Sequence, residues 1–536
     1  MGVMGQNFAG GGWSADQVFL MPPDPREWLP AGHLAWALLD QAELLDMAPF
    51  AGAYRADGQG RPAYHPRLVT ALVMYCYCKG IRSSRAIEMA TWDDVGARVI
   101  MGGLHPDHST VARFVTRHEA AVKGLLVASL AACAREGLVS VDVVAGDGTK
   151  VKASASKSAN ATAARLDLDI AELEAVIAAE ADAWLAQARA EDAADDALLA
   201  GGDDGDGPGR PGGPGTLQRT AGRLARRQQA RARLAADAAA RQQEAEAARL
   251  EDIARLEKRA AKAQASAAAQ EARAAARVAG YERRAAAKAG TGRRPDGRVP
   301  VAPDDSAHVR RDREAAAKAE QALAGAVAAP AVAAEPDRPP KANTTDPGSR
   351  VMPGKHGGFQ QAYNPQVVAS ASQVILSVGT HDSPVDVQGL HPAMASTRAN
   401  LDAAGITAPI GSALWDAGYA SEANFTGPCE AELYIAVTRE ARQTGRLQDG
   451  GQRERAQPGW QAMTAKLDTP EGRALYKRRS AIIEPVFAQL FARLGRDLHY
   501  RGTMVSLELH LWAATHNFLK AIRARARSPV PATAAA

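Results

Sequence analysis

The sequence predicts a mixed fold, α+β or α/β, in which a helical N-terminal region precedes a sheet that a long helical insertion interrupts. Three observations predict it. Residues 25–135 carry apolar side chains at helical spacing with short breaks. Apolar, β-branched runs that read as strands come first at residues 141–145 and return only after residue 350. Between them lie residues 160–340, of which 216–290 are dominated by Ala, Arg, Gln, Glu and Lys, the composition of solvated helix or coiled coil. Strands mixed with helices form layered α/β or α+β cores.

A chain of 536 residues has room for several domains, and its 46% hydrophobic content permits real cores. The net charge of +4 is a mild basic bias. It allows a nucleic-acid partner without requiring one. The cysteines Cys76, Cys78, Cys133 and Cys429 match no zinc spacing and are too few for a disulfide framework. They read as small buried hydrophobes in a reducing compartment. The first 20 residues lack a basic start followed by an apolar block, so no secretory signal is expected. No apolar run approaches the roughly 20 residues of a membrane span. These features imply a cytoplasmic protein with no membrane partner.

Taken in order, residues 1–24 read as a flexible leader ending just after Met21-Pro22-Pro23. Leu34, Trp36, Leu38, Leu39, Leu44 and Leu45 recur at helical spacing. Residues 54–66 are a Gly/Pro-punctuated connection, and residues 68–78 a strongly apolar helix stopped by Gly80. Ser83-Ser84 should cap the next helix, with Glu88 one residue beyond capping-box spacing from Ser84. A further helix is expected over residues 108–118, with Ser109 or Thr110 as its N-cap and Arg113 and Arg117 on one face. Two short helices with Arg-bearing turns, Arg85 on the first, suit a helix-turn-helix-like DNA reader. An ordinary solvated helix face has the same pattern.

After the first strand, Leu166, Ile170, Leu173, Ile177 and Trp184 form a heptad-like seam. Residues 201–215, 290–303 and 330–340 are linkers. Leu250, Ile253 and Leu256 give residues 216–290 a thin seam. This basic helical stretch could lie along DNA phosphates or serve as a solvated spacer. Beyond residue 350, residues 361–368 and 373–378 look like a hairpin pair. A helix over 390–404, a strand over 411–415, a helix start at 421–424 and a strand over 433–437 follow. Helices over 471–496 and 505–525 and a disordered tail at 526–536 complete the chain.

Glu484 is a lone acid in an apolar run that ends Ile482-Ile483-Glu484-Pro485-Val486-Phe487. A buried charge needs a partner or a metal. Asp147 and Asp416 are the best candidates, because each ends an apolar run with a Gly close behind, where a strand delivers a side chain to a sheet edge. Asp147 shares a strand face with Val143 and Ala145, while Asp142 competes from the strand's start. Pro485 disfavours the helical region at Glu484, which places Glu484 at a kink or at the start of a helix that Pro485 opens. Three carboxylates converging on two hard divalent ions, Mg²⁺ or Mn²⁺, would make a phosphoryl-transfer site on nucleic acid. One ion would activate a water or a DNA 3′-hydroxyl, and the other would stabilise the leaving oxygen. Read alone, each of the three acids also suits an N-cap, a turn or an ion pair.

The N-terminal half resembles the InsH-type domain of bacterial insertion-sequence transposases. The matching text is Gly60-Arg61-Pro62-Ala63-Tyr64-His65-Pro66, Gly80-Ile81-Arg82-Ser83-Ser84-Arg85 and Pro106-Asp107-His108-Ser109-Thr110. The remainder resembles DDE transposases with a ribonuclease-H-like core. There the matching text is Asp147-Gly148-Thr149-Lys150, Thr345-Asp346-Pro347-Gly348-Ser349-Arg350, Gly357-Gly358-Phe359 with Tyr363-Asn364, Asp416-Ala417-Gly418-Tyr419, Glu484-Pro485-Val486-Phe487 and Arg501-Gly502. The resemblance covers residues 15–160 and 341–525.

It implies an enzyme that cleaves and joins DNA at the terminal inverted repeats of its element and at target DNA. Asp147, Asp416 and Glu484 would be its catalytic and metal-binding triad, with Mg²⁺ or Mn²⁺, two ions, as cofactor. Tyr476 and Arg479 resemble the positions that accompany the Glu and would contact phosphate, as would Lys150, Lys152 and Arg501. A homodimer on DNA in the bacterial cytoplasm is implied. Relatives carry Phe-Gly-x-x-Lys after Glu-Pro; here Ala488 replaces the Gly and Phe491 the Lys, leaving Arg493 as the candidate substitute. That departure keeps two other readings open: a decayed, DNA-binding copy, and a structure-selective nuclease on the same core.

Overall fold

A computed structural model describes residues 24–52, 54, 62–201, 215–288, 297–332, 338–354, 357–381, 383–437 and 457–527. The expected leader short of Asp24, most of the 54–66 connection, the interior of the 201–215 linker, parts of the other two linkers and the tail beyond Arg527 lie outside the described residues. The chain divides into two compact units: Met1–Ala159 together with Thr345–Ala536, and Asn160–Thr344.

The first unit begins with helices α1 (Leu34–Glu43), α2 (Ala48–Ala51), α3 (Pro66–Cys78), α4 (Ser84–Asp93), α5 (Val95–Met101), α6 (His108–Arg117), α7 (Glu119–Lys123) and α8 (Leu125–Arg135). Ten consecutive residues of α3, from Val69 to Cys78, are buried. A helix apolar on every side is a central one. Ser83 caps α4 by accepting from Ala86 N at 3.2 Å. Neither Ser109 nor Thr110 caps α6; Asp107 does, accepting from Thr110 N at 2.9 Å and from both hydroxyls. An ionised carboxylate is the stronger acceptor, so the two hydroxyls turn to donating. Glu88 makes no capping box. It accepts from His108 N at 3.0 Å and meets His108 Nδ1 at 2.8 Å, tying α4 to α6.

The strands are β1 (Val143–Gly148), β2 (Val151–Lys152), β3 (Asn160–Thr162), β4 (Lys341–Asn343), β5 (Arg350–Pro353), β6 (Phe359–Tyr363), β7 (Gln366–Ser370), β8 (Ile375–Gly379), β9 (Ser412–Trp415) and β10 (Glu432–Ile435). Five form the main sheet in the order β10-β9-β1-β7-β8. Strand β1 runs parallel to β9 and β9 to β10, while β7 is antiparallel to both β1 and β8. The expected strand over 361–368 is two strands in two sheets: β6 joins β2 and β5, and β7 joins the main sheet. The break falls at Asn364-Pro365, where proline has no N–H for a ladder. The true hairpin is β7–β8, and its turn holds Gln373 at φ 61°.

The C-terminal helices are α12 (Leu390–Ala403), α13 (Glu422–Thr426), α14 (Pro458–Asp468), α15 (Pro470–Tyr476), α16 (Arg478–Leu494) and α17 (Met504–Arg527). Helix α16 packs on β1 and β7, and α17 packs on α3, α8 and β8. The N-terminal helices and the sheet thereby share one core, from Ala35 to Ala521. Arg82 Nη1, donating to buried Glu508 Oε1 at 3.2 Å and to Asp497 O at 2.7 Å, ties the loop before α4 to the C-terminal half.

Pro485 does not open a helix. It lies inside α16, which begins at Arg478, so Glu484 is mid-helix. Proline deprives the carbonyl four residues back of its donor. That carbonyl, Ala481 O, accepts instead from Gln373 Nε2 at 3.2 Å, which lets the helix run through.

The second unit holds α9 (Ala163–Gly201), α10 (Gly215–Lys288), α11 (Ala307–Ala328) and the antiparallel pair β3–β4. Leu166 and Leu173 of the expected seam are buried with Ala230 and Leu234, but Trp184 is exposed. On α10 the expected Leu250 is exposed too; beyond it the buried positions are Ala260, Ala267 and Ala274, seven residues apart. Helix α11, which packs on α10, buries Val309, Ala316 and Ala319.

Candidate active site

Adjacent parallel strands β1 and β9 end in the same direction, and each delivers an aspartate there. Asp147 Oδ1 accepts from Gly148 N at 2.8 Å, and Oδ2 accepts from Arg479 Nη1 at 3.1 Å. Asp416 caps a single turn at Ala417–Tyr419, its Oδ1 accepting from Gly418 N at 2.9 Å. Burial pushes the Asp147 carboxyl up to about 6; Arg479 opposes this and the charge of Asp416 reinforces it. The two carboxylates therefore feel each other across the strand ends. Arg479 stands among Asp147, Tyr476 and Asp416, whose influence outweighs its burial and holds its pKa up. The Tyr476 hydroxyl is pushed up, first by burial and further by Asp416 and Asp147, with Arg479 opposing.

A third acid, Asp386, approaches this pair from the loop after β8. In the sequence it lacks the Gly that follows Asp147 and Asp416 within two residues. Its position just past a Pro-bearing turn that leaves an apolar strand was the available signal. Asp386 Oδ1 accepts from Asn364 Nδ2 at 2.5 Å and from Gln366 Nε2 at 3.3 Å. A Cβ at position 148 would lie 2.6 Å from Asp386 Oδ1, so a larger residue there would have to displace the Asp386 carboxylate. A Cβ at position 418 would lie 3.0 Å from Asp416 Oδ1 and 3.4 Å from Asp386 Oδ2, which places those two side chains around one point. Fully buried Asn364 keeps its Oδ1 without a hydrogen-bond partner among the described residues. Tyr419 donates to Gln366 Oε1 beneath them, and its hydroxyl is held far up by burial and then by Asp386, Asp147 and Asp416.

Of the residues singled out from sequence, the structure brings together Asp147, Asp416, Tyr476 and Arg479. Glu484 is exposed on α16. Five residues beyond Arg479, it points about 140° further round the helix. Among the described residues, no three His, Cys, Asp or Glu side chains form a metal-holding group. Lys150 is half-buried just past β1, and exposed Lys152 pairs with Asp497 at 3.3 Å. Arg501 donates to Ser154 Oγ at 3.3 Å. Arg85 and Arg113 are exposed on α4 and α6, Arg113 donating back to Ser109 O at 3.3 Å. Arg117 lies over the Tyr54 ring, 5.4 Å from its centroid. Phe491, in the expected lysine position, stacks on Phe487 at 6.1 Å with Arg496 over its ring at 4.0 Å.

Residues 24–117 match a family model described as Transposase domain (DUF772), and residues 447–522 match one described as Transposase DDE domain. The first match takes in α1 to α6, and the second takes in Tyr476, Arg479 and Glu484. Asp147 and Asp416 lie outside both. No curated protein and no solved structure matches the chain. The class these matches define is a transposase. Occurring in this order on one chain, they support, more particularly, an insertion-sequence DDE transposase, an enzyme type that acts on DNA. No described helix is long and apolar enough to cross a membrane.

Proposed function

We propose that this chain cleaves DNA at the ends of its element and joins the freed 3′-hydroxyls to target DNA. The observation that carries this reading is the Asp147–Asp416 pair on adjacent parallel strands, with Arg479 between the carboxylates and Tyr476. The sheet supports a ribonuclease-H-like core: its middle strand has an antiparallel hairpin on one side and two parallel strands on the other.

Oxygen-only donors beside a strained pair of negative charges suit Mg²⁺ or Mn²⁺. Asp147 and Asp416 would hold the metal, with Glu484 or Asp386 as the third acid. When bound, a divalent ion neutralises charge on the scissile phosphate and activates the attacking hydroxyl. The chain itself does the gripping. Arg479 can turn its guanidinium from Asp147 to a phosphate and bind it bidentately, with Tyr476 donating beside it. Lys150, Lys152 and Arg501 flank the strand ends, and Arg85, Arg113 and Arg117 give α4 and α6 a cationic face for DNA. Two element ends must be handled together, so the working form is a homodimer on DNA.

The test is cleavage and strand transfer on terminal-repeat duplex with Mg²⁺. The double variant Asp147→Ala/Asp416→Ala should lose both; retained activity would sink the proposal. Cleavage without joining would mark a nuclease. A second reading, a copy that binds DNA without cutting it, is favoured by the exposed Glu484 and by Phe491 in the lysine position. Tight repeat binding with no cleavage under any divalent ion would select it.

A further inference from the structure

We propose that a cleft bounded by the ends of α3, α16 and α17 is a second phosphate-binding site, which holds the backbone of a bound duplex well away from the carboxylate pair. The proposal rests on the transposase reading and names where the same DNA is held. The cleft has a volume of about 460 Å³ and is lined by Cys78, Lys79, Gln489, Ala492, Arg493 and Arg523. Half of these are cations and none is an acid.

Lys79 is paired with Asp94. Arg493, half-buried, and Arg523, exposed, are joined to no carboxylate among the described residues. Burial pushes the Arg493 guanidinium below its ordinary value and Arg523 adds to this. Lys520, one turn before Arg523, is pushed down the same way, by burial first and then by Arg523. The backbone anchors one wall of the cleft. Gly80, at φ 81°, closes α3 directly on α16, where a Cβ would lie 2.7 Å from the Arg493 carbonyl oxygen. Like charges held together without a counter-charge are unfavourable until an anion arrives.

Reach decides for DNA over a small anion. Arg479 and Arg493 are fourteen residues apart on α16, roughly 21 Å along its axis. That is about six base-pair steps, so one duplex can touch both. The same placement gives Arg493 the phosphate contact that Phe491 cannot make.

The test is fluorescence anisotropy of the full chain with a 20-base-pair duplex, without divalent metal, over a KCl series. Arg493→Ala/Arg523→Ala should weaken binding at least tenfold and flatten the slope of log K against log salt by about 2, at roughly 0.9 per phosphate contact. Its melting temperature should not fall below that of wild type. Arg493→Lys/Arg523→Lys should recover most of the slope, which a purely structural role would not. Unchanged affinity and slope in the alanine variant would overturn the proposal. So would stabilisation of wild type by inorganic phosphate alongside unchanged DNA binding, since the cleft would then take a small anion. If wild type cuts DNA while the alanine variant binds normally, only this inference falls; if wild type binds no DNA, the transposase reading falls with it.

Discussion

Asp147 is pulled two ways: burial and the neighbouring Asp416 favour its neutral form, while Arg479 favours the carboxylate. The first pair wins, and the group titrates near 6 in the folded chain. An acid whose folded pKa is raised contributes stability that is fully present below its unfolded value, about 4, and is lost as pH rises through 6. The metal-free Asp147→Asn variant should therefore gain on wild type between pH 4.5 and pH 7.5, by about 2 kcal/mol. Urea unfolding at the two pH values reads this; a difference independent of pH would mean the carboxyl titrates normally. Asp386→Asn and Glu484→Gln form a second comparison. Whichever lowers Mn²⁺ affinity at least tenfold by calorimetry is the third ligand, and the geometry favours Asp386. Asp147 and Asp416 were readable because each ends an apolar run, whereas Arg479 was reached only through the family resemblance. Asp386 was not, because its role depends on Asn364, Gln366 and two glycines that come together only in the fold.

Helix α16 shows why one local rule failed. The residue before a proline avoids the helical region on steric grounds, yet α16 runs through; the carbonyl that Pro485 leaves without a donor is taken up by Gln373 from the turn of the β7–β8 hairpin. It also accepts from Gln489 Nε2 at 3.1 Å and, through its carbonyl, from His516 Nε2 at 2.8 Å. Gln373→Gly would relieve a left-handed backbone by about 1 kcal/mol but give up an exposed hydrogen bond to the Ala481 carbonyl worth about 0.5–1.5 kcal/mol. The two nearly cancel, so chemical denaturation should show a change within about 0.5 kcal/mol; a larger loss would show that the side-chain bonds outweigh the backbone strain.

The loop before α4 carries a larger effect. Arg82 and Glu508 have side chains only 10% and 0% exposed. Arg82→Ala should cost about 3–5 kcal/mol by leaving a buried charge alone, and Arg82→Met/Glu508→Leu should restore much of it. The motif Gly80-Ile81-Arg82 was visible in sequence; its service as a tie to a residue 426 positions away was not.

At the scale of the whole chain, the interruption between first and second strands of the main sheet was evident from composition alone. Its internal packing was not, because the second half of α10 buries Ala260, Ala267 and Ala274 and leaves the larger Leu250 exposed. In an alanine-rich sequence such a seam has no contrast with the solvated face. Replacing residues 160–344 with a four-residue turn should leave the melting temperature of the first unit within a few degrees of the full chain, since that unit holds its own core. A collapse of cooperative melting would show that the insertion is needed for folding.

The antiparallel pair β3–β4, with Asn160 opposite Asn343, brings the two ends of the insertion side by side. Whatever is spliced between them leaves and returns at one spot. In-frame growth or loss of coding sequence there carries little penalty for the enzyme around it. The same spot offers a natural place to graft a fluorescent reporter and follow the protein in living cells.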